Sequence, residues 1–199
     1  MKIHILILFL SLSIISFSCK KDVVKINAGI YNSSFIYHEY SPALELNFIW
    51  DEQLSAYVGE DSIDIDFDSN YDMFITLEIP DSWYPCCKLE LKNGFEVAIC
   101  KETYGIGHGQ YATAIFVDTL SYGDIISNLP DWSGDESQWI NMWHASPGTE
   151  SFAPSYGSWY YANNIKYIGL KSLSDKYGWI EVDAVDPYSP KILRYAIQQ

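Results

Sequence analysis

The chain has 199 residues, enough for one domain with a sizeable core. Its 26 Asp and Glu stand against 12 Lys and Arg, a formal charge of −14, which excludes the basic patches that phosphate backbones require and with them a nucleic-acid partner. Tyr (16) and Trp (7) are abundant and no 3.6-residue apolar period is sustained after residue 20, so composition predicts an all-β chain.

Met1 to Ser18 has one positive residue, Lys2, then an apolar run from Ile5 to Ile15 and small residues before Cys19. The run is too short for a membrane span and has the layout of a secretory signal peptide over residues 1–18. Ser16-Phe17-Ser18-Cys19 resembles the lipobox of bacterial lipoproteins, with Ser16 where Leu is usual and Phe17 where a small residue is usual. The resemblance implies acylation of Cys19 and a membrane partner reached through the lipid anchor. Lys20, rather than Asp, after the Cys implies the outer membrane, facing either the periplasm or the outside. Residues 19–33 read as a lipid-anchored tether ending in a first short strand, and residues 34–199 as the folded domain.

Ser34 to Tyr40 and Leu44 to Trp50 read as strands joined across Ser41-Pro42, since Pro suits the turn and not the ladder. Beyond them, Ile63, Ile65 and Phe67 alternate with Asp64, Asp66 and Asp68, and Met73, Ile75, Leu77 and Ile79 alternate with Phe74, Thr76 and Glu78. Matching the apolar faces predicts a hairpin with Phe67 opposite Met73 and Ile63 opposite Leu77, which puts Asp68 opposite Asp72. Opposed carboxylates repel unless a cation lies between them. Asp66, Asp68, Asn70 and Asp72 are the oxygen donors calcium prefers, although Tyr71 and Leu77 break the EF-hand pattern. A solvated acidic face that repels edge-to-edge association is the alternative.

Cys86-Cys87 precedes Asn93-Gly94, the strongest short hairpin signal, and a two-residue turn there would place Cys87 opposite Cys100 at disulfide distance. Such a bond would survive outside the cytoplasm and add roughly 3 kcal/mol. Cys86 is then a free thiol, or takes the place of Cys87 through a bulge. Gly105 to Gly109 lacks the Lys-Ser or Lys-Thr of a phosphate loop and reads as a β-connection. The histidines have no metal-ligand spacing, and neither a Gly-x-Ser-x-Gly elbow nor a His-Glu-x-x-His helix is present.

From Asn128 to Asn163 the alternation loosens, with Trp132, Trp139, Trp143, Trp159 and Tyr160 among Ser, Gly, Pro and Asp; one short helix is predicted at Glu136 to His144. Two readings stand: a carbohydrate-binding surface on which sugar rings stack, or rings folded inward to plug one end of the core. The last segment has three alternating runs, Ile165 to Lys171, Tyr177 to Val182 and Lys191 to Ile197, which short polar turns tie into an antiparallel meander. Tyr167-Ile168-Gly169-Leu170, then Tyr177-Gly178-Trp179-Ile180, resembles the C-terminal end of secreted and lipid-anchored bacterial β-sandwich proteins of no established function. The resemblance implies an antiparallel, jelly-roll-like β-sandwich and no reaction.

These readings converge on a lipid-anchored extracytoplasmic protein whose role is non-catalytic binding, of a carbohydrate or a protein ligand. A glycan-acting hydrolase and a structural component of an envelope assembly are the alternatives. Expressed in a bacterial host, the chain is expected to incorporate labelled palmitate, and Cys19→Ala to abolish the labelling; label persisting in that variant would place acylation elsewhere.

Overall fold

The computed structural model describes residues 25–80, 85–107, 110–134, 139–145 and 155–199; the segment expected to be a signal peptide, residues 1–18, and Cys19 lie outside them. The described chain is all-β. Its strands are β1 (Phe35–Glu45), β2 (Asn47–Asp51), β3 (Ala56–Ile63), β4 (Met73–Pro80), β5 (Cys86–Leu91), β6 (Glu96–Gly107), β7 (Gln110–Val117), β8 (Trp132–Ser133), β9 (Ile140–Ala145), β10 (Ser155–Tyr156), β11 (Ile165–Lys171), β12 (Tyr177–Asp183) and β13 (Lys191–Gln198). Among the described residues, two short 3-10 turns, Ile126–Asn128 and Ser158–Tyr161, interrupt them. The expected helix fails at its C-terminal end, where Ile140–Ala145 is a strand paired with β5; residues 136–138 lie outside the described set.

Hydrogen-bonded neighbours run β1-β13-β12-β11-β6-β7-β9-β5-β4-β3-β2. The C-terminal meander forms as expected and lies inside its sheet, with β1 outside β13 and β6 beside β11. The link to the second sheet is β6. Its first residues, Glu96 and Val97, pair with β11, whereas Ile99 to Gly107 pair with β7. Between the two sheets lies one core: Ile168, Ile180 and Val182 on the meander meet Met73, Ile75, Leu77 and Leu89 of the other sheet. Each such side chain, fully buried, stabilises the fold by about 1.5–3 kcal/mol.

The meander is covered on its outer face as well, so five successive residues of β12, Gly178 to Val182, are buried. Tyr167, Trp179 and Ala196 pack there against Ile26, Ala28, Leu120 and Ile126. The cover is stitched on by Ala28 N–H to Asp124 O (2.9 Å), Ile126 N–H to Ile26 O (2.7 Å) and Trp179 Nε1–H to Ile30 O (3.1 Å). Trp179 fits because its cross-strand neighbours, Gly169 and Ala196, are small. From Ile26 on, the segment expected to be tether packs on the domain, with Ile26 and Ala28 buried and their backbone groups bonded to the chain at Gly123 to Ile126.

Two strand expectations are corrected. The runs Ser34 to Tyr40 and Leu44 to Trp50 become one long β1 that passes through Pro42 with a register break between Glu39 and Leu44, followed by a separate β2. In the acidic hairpin Ile63 faces Met73, not Leu77, a slip of four positions; an even slip keeps every apolar side chain on the core face. Residues 64–72 are thereby released from the ladder to form a loop.

One ion pair lies within the covered face. Glu181 is buried, and its Oε2 accepts from Arg194 Nη2 (2.9 Å), Arg194 Nε (3.0 Å) and Tyr167 O–H (2.8 Å). Arg194 is a third exposed, so its removal falls between the roughly 1 kcal/mol of a surface pair and the 3–5 kcal/mol of a buried one. Arg194→Met is expected to destabilise by about 2–3 kcal/mol in urea unfolding, because it strands the carboxylate, and Glu181→Gln with Arg194→Met to recover part of the loss.

Candidate functional site

Three of the sequence-derived sites can be followed through the fold, beginning with the acidic loop between β3 and β4. Its backbone is held by its own side chains. Asp64 accepts the N–H groups of Asp68 (3.2 Å) and Ser69 (2.9 Å), and Asp68 accepts that of Asn70 (2.8 Å). Phe67 and Ser69 take left-handed φ values of 61° and 74°, which these bonds stabilise. Asp72 turns inward: its Oδ2 accepts Ile65 N–H (2.7 Å) and its Oδ1 accepts Asn93 Nδ2–H (2.9 Å) from the turn after β5. Tyr195 O–H bonds Asp64 O (2.6 Å) from below, and its ring packs near His38 and Phe67.

Carboxylate oxygens of Asp64, Asp66 and Asp72 lie within 4.8 Å of one another, a grouping that could hold a metal ion. Of the four expected ligands the fold thus brings together Asp66 and Asp72, and substitutes Asp64 for Asp68 and Asn70. Those two bond each other instead, with Asn70 Nδ2–H donating to Asp68 Oδ2 (3.1 Å). The opposition of Asp68 and Asp72 that first suggested a cation does not occur, since neither belongs to the shortened ladder.

Burial holds the Asp72 carboxyl above the usual range, against its hydrogen bonds from Asn93 and Ile65 and with a contribution from the charge of Asp66. The folded state therefore binds this proton more tightly than the unfolded state. The stability it contributes is full below the ordinary carboxylate pKa and is lost as pH rises through the raised value. Asp72→Asn, which retains an acceptor for Ile65, is expected to gain on wild type in urea unfolding as pH is raised from about 4, with calcium removed; a constant difference between the two proteins would show that Asp72 titrates normally.

Cys87 and Cys100 are not bridged, and the structure overturns that pairing. The Asn93-Gly94 turn forms with both residues at positive φ (55° and 72°), and Phe95 N–H reaches Lys92 O (3.1 Å). Beyond the turn, however, β5 pairs with β4 and β9 while β6 crosses to β11 and then β7. Cys87 consequently lies between Leu77 and Trp143 with its Sγ 3.5 Å from Met142 Sδ, and Cys100 faces Phe116. Cys86, Cys87 and Cys100 are free thiols. Burial pushes Cys86 and Cys100 up to about 11 and Cys87 higher, so all three are protonated and poor nucleophiles at neutral pH.

Among the described residues, the five rings of the aromatic segment do not share one exposed surface. Trp143 and Trp159 are each 1% exposed, and Trp159 Nε1–H donates to Val117 O (3.0 Å). Tyr160 packs on Trp143 (5.4 Å between ring centres), and Trp132 is half-buried, bonded to Leu129 O (3.2 Å). Trp139 is the one of the five that is exposed. Large rings in a core recover more area than rings in water, and here the core claimed them.

A group of exposed apolar residues that sequence reasoning passed over lies on the β2–β3 hairpin. Phe48, Trp50 and Tyr57 lie at the rim of the inner face, with Trp50 and Tyr57 edge to face at 5.1 Å. On the outer face Ile49, 73% exposed, stands beside Val58 and Leu54 over an open cleft of about 760 Å³. Asp51, Glu52, Glu60 and Glu78 border it. The signal was present as Phe48-Ile49-Trp50, three consecutive apolar residues on a strand too short to be central, so that one of its faces had to meet water. Comparisons with protein-family models, with curated proteins and with solved structures find no match.

Proposed function

We propose that the chain is a non-catalytic binding module, anchored to the outer membrane through lipid on Cys19, which captures its ligand on the β2–β3 hairpin. The observation that carries this reading is the pair of exposed apolar residues Ile49 and Leu54 at a cleft with an acidic border, with Trp50 and Tyr57 exposed on the other face of the same hairpin. Contiguous exposed apolar residues rimmed by polar ones mark interaction sites, and a Trp flanked by a Tyr is a common anchor in such surfaces. Calcium enters the reading as a structural ion of the acidic loop, held by Asp64, Asp66 and Asp72, at the opposite end of β3 from the hairpin turn.

The test is retention of the full chain on arrays of glycans and of peptides, in calcium and again in EDTA. Retention without product is expected, and Trp50→Ala is expected to weaken it at least tenfold at a stability cost of about 1 kcal/mol. Turnover of an arrayed ligand, or a blank on both arrays, would overturn the reading. Calcium at about 100 times its Kd would add about 2.7 kcal/mol to the unfolding free energy. That gain is expected in wild type and in Asp68→Asn and not in Asp66→Asn; a gain kept by Asp66→Asn would remove the ion from this loop.

A further inference from the structure

We propose that β2 is a docking edge that accepts a basic, extended peptide segment of a partner protein as an added strand. The proposal rests on the binding-module reading and names the partner class. Among the described residues β2 pairs only with β3, so one row of its backbone N–H and C=O groups faces away from the sheet.

The two terminal strands of the sheet order differ in how they treat that exposed row. β1 contains Pro42, which has no N–H, and breaks register between Glu39 and Leu44. Both features disfavour the addition of a strand. β2 reads Asn47-Phe-Ile-Trp-Asp51, with neither Pro nor Lys, and keeps an unbroken register with β3 from Asn47↔Glu60 to Asp51↔Ala56. Its five residues offer about 17 Å of straight edge.

The alternation of side chains along β2 states what the added strand should look like. On the outer face Ile49 lies near Glu60 and Glu52, which make no ion pair among the described residues, whereas Glu78 is already paired with Lys88 (2.7 Å). On the other face stand Phe48 and Trp50, next to Tyr57. A segment that alternates Lys or Arg with apolar residues meets both faces at once, its cations over Glu52 and Glu60 and its apolar side chains against the aromatic rim. A second copy of the chain is disfavoured as occupant, because it brings the same acidic border and a like net charge of −14.

The experiment measures binding of the full chain to an alternating lysine–valine heptapeptide by isothermal titration. Its controls are an alternating glutamate–valine peptide and two lysine–valine peptides N-methylated at alternate amides, one of which removes the donors of an added strand. The lysine–valine peptide is expected to bind at least tenfold tighter than the glutamate–valine peptide and than one of the methylated pair, and to lose at least tenfold in Glu60→Lys and in Ile49→Lys. Both positions are solvent-exposed, so these variants fold. Equal binding of both methylated peptides would show charge attraction without strand addition and overturn the proposal. So would a dimer dissolved by Ile49→Lys, which makes a second copy the occupant. If the arrays retain only glycans and the heptapeptide does not bind, the docking edge falls while the binding module stands; no retention of any kind removes both.

Discussion

The packing of the molecule depends on β6 belonging to both sheets. After the Asn93-Gly94 turn the chain could continue as the second arm of a hairpin with β5, and it does not: Glu96 and Val97 bond to Lys171 and Leu170 of the meander, and from Ile99 the strand pairs with β7. That passage carries Phe95 and Val97 into the space between the layers, where they are buried with Ile168 and Leu170. It also frees the second edge of β5 for β9, and with β9 come Met142 and Trp143. A hairpin of β5 and β6 would have satisfied the local backbone equally well, but it would have left the meander without a neighbour beyond β11 and the two sheets without a common strand.

A second consequence follows on the outer side of the meander. Because residues 26 to 30 and the chain from Leu120 to Trp132 lie over it, β12 is buried on both faces and must place polar groups where water is absent. Glu181 is the result. It is tolerated because Arg194 stands directly opposite on β13 and Tyr167 opposite on β11, so cross-strand register supplies three donors to one carboxylate oxygen. The same cover explains why Gly169, the neighbour of Trp179 on β11, is small: a Cβ there would press on Ala98, Leu120 and Leu129 at 3.2–3.4 Å.

Acidity is distributed with a similar logic. In the loop after β3 the carboxylates of Asp64 and Asp68 are spent on backbone N–H groups, which lets Phe67 and Ser69 hold left-handed conformations, and Asp72 is spent on Ile65 and Asn93. Around the β2–β3 hairpin Glu52 and Glu60 have no such employment among the described residues and stand beside exposed apolar side chains. Charge that is internally satisfied shapes the chain; charge that is left over beside an apolar surface is available to select a partner.

What the sequence determined by itself was local. The alternation in Ile165 to Lys171, Tyr177 to Val182 and Lys191 to Ile197 sets the strands and their antiparallel order there because short turns force neighbours to pair, whereas the register shift between Glu181 and Val182 was not legible. The Asn93-Gly94 turn was equally legible, since positive φ at two successive residues is a property of those residues. The partners of β5 and β6, and with them the state of Cys87 and Cys100, were decided only by the tertiary structure, because a turn fixes the direction of a chain and not which strand 70 residues away competes for its edge. The four-position slip of the β3–β4 hairpin was beyond reach for a related reason. An even slip leaves the apolar pattern unchanged, so the hydrophobic code cannot distinguish the two registers, and the choice fell to the inward turn of Asp72 and the winding of its loop. Likewise Trp143, Trp159 and Trp50 are chemically identical in the sequence, and only the closure of the core put two of them inside and left the third at an open edge.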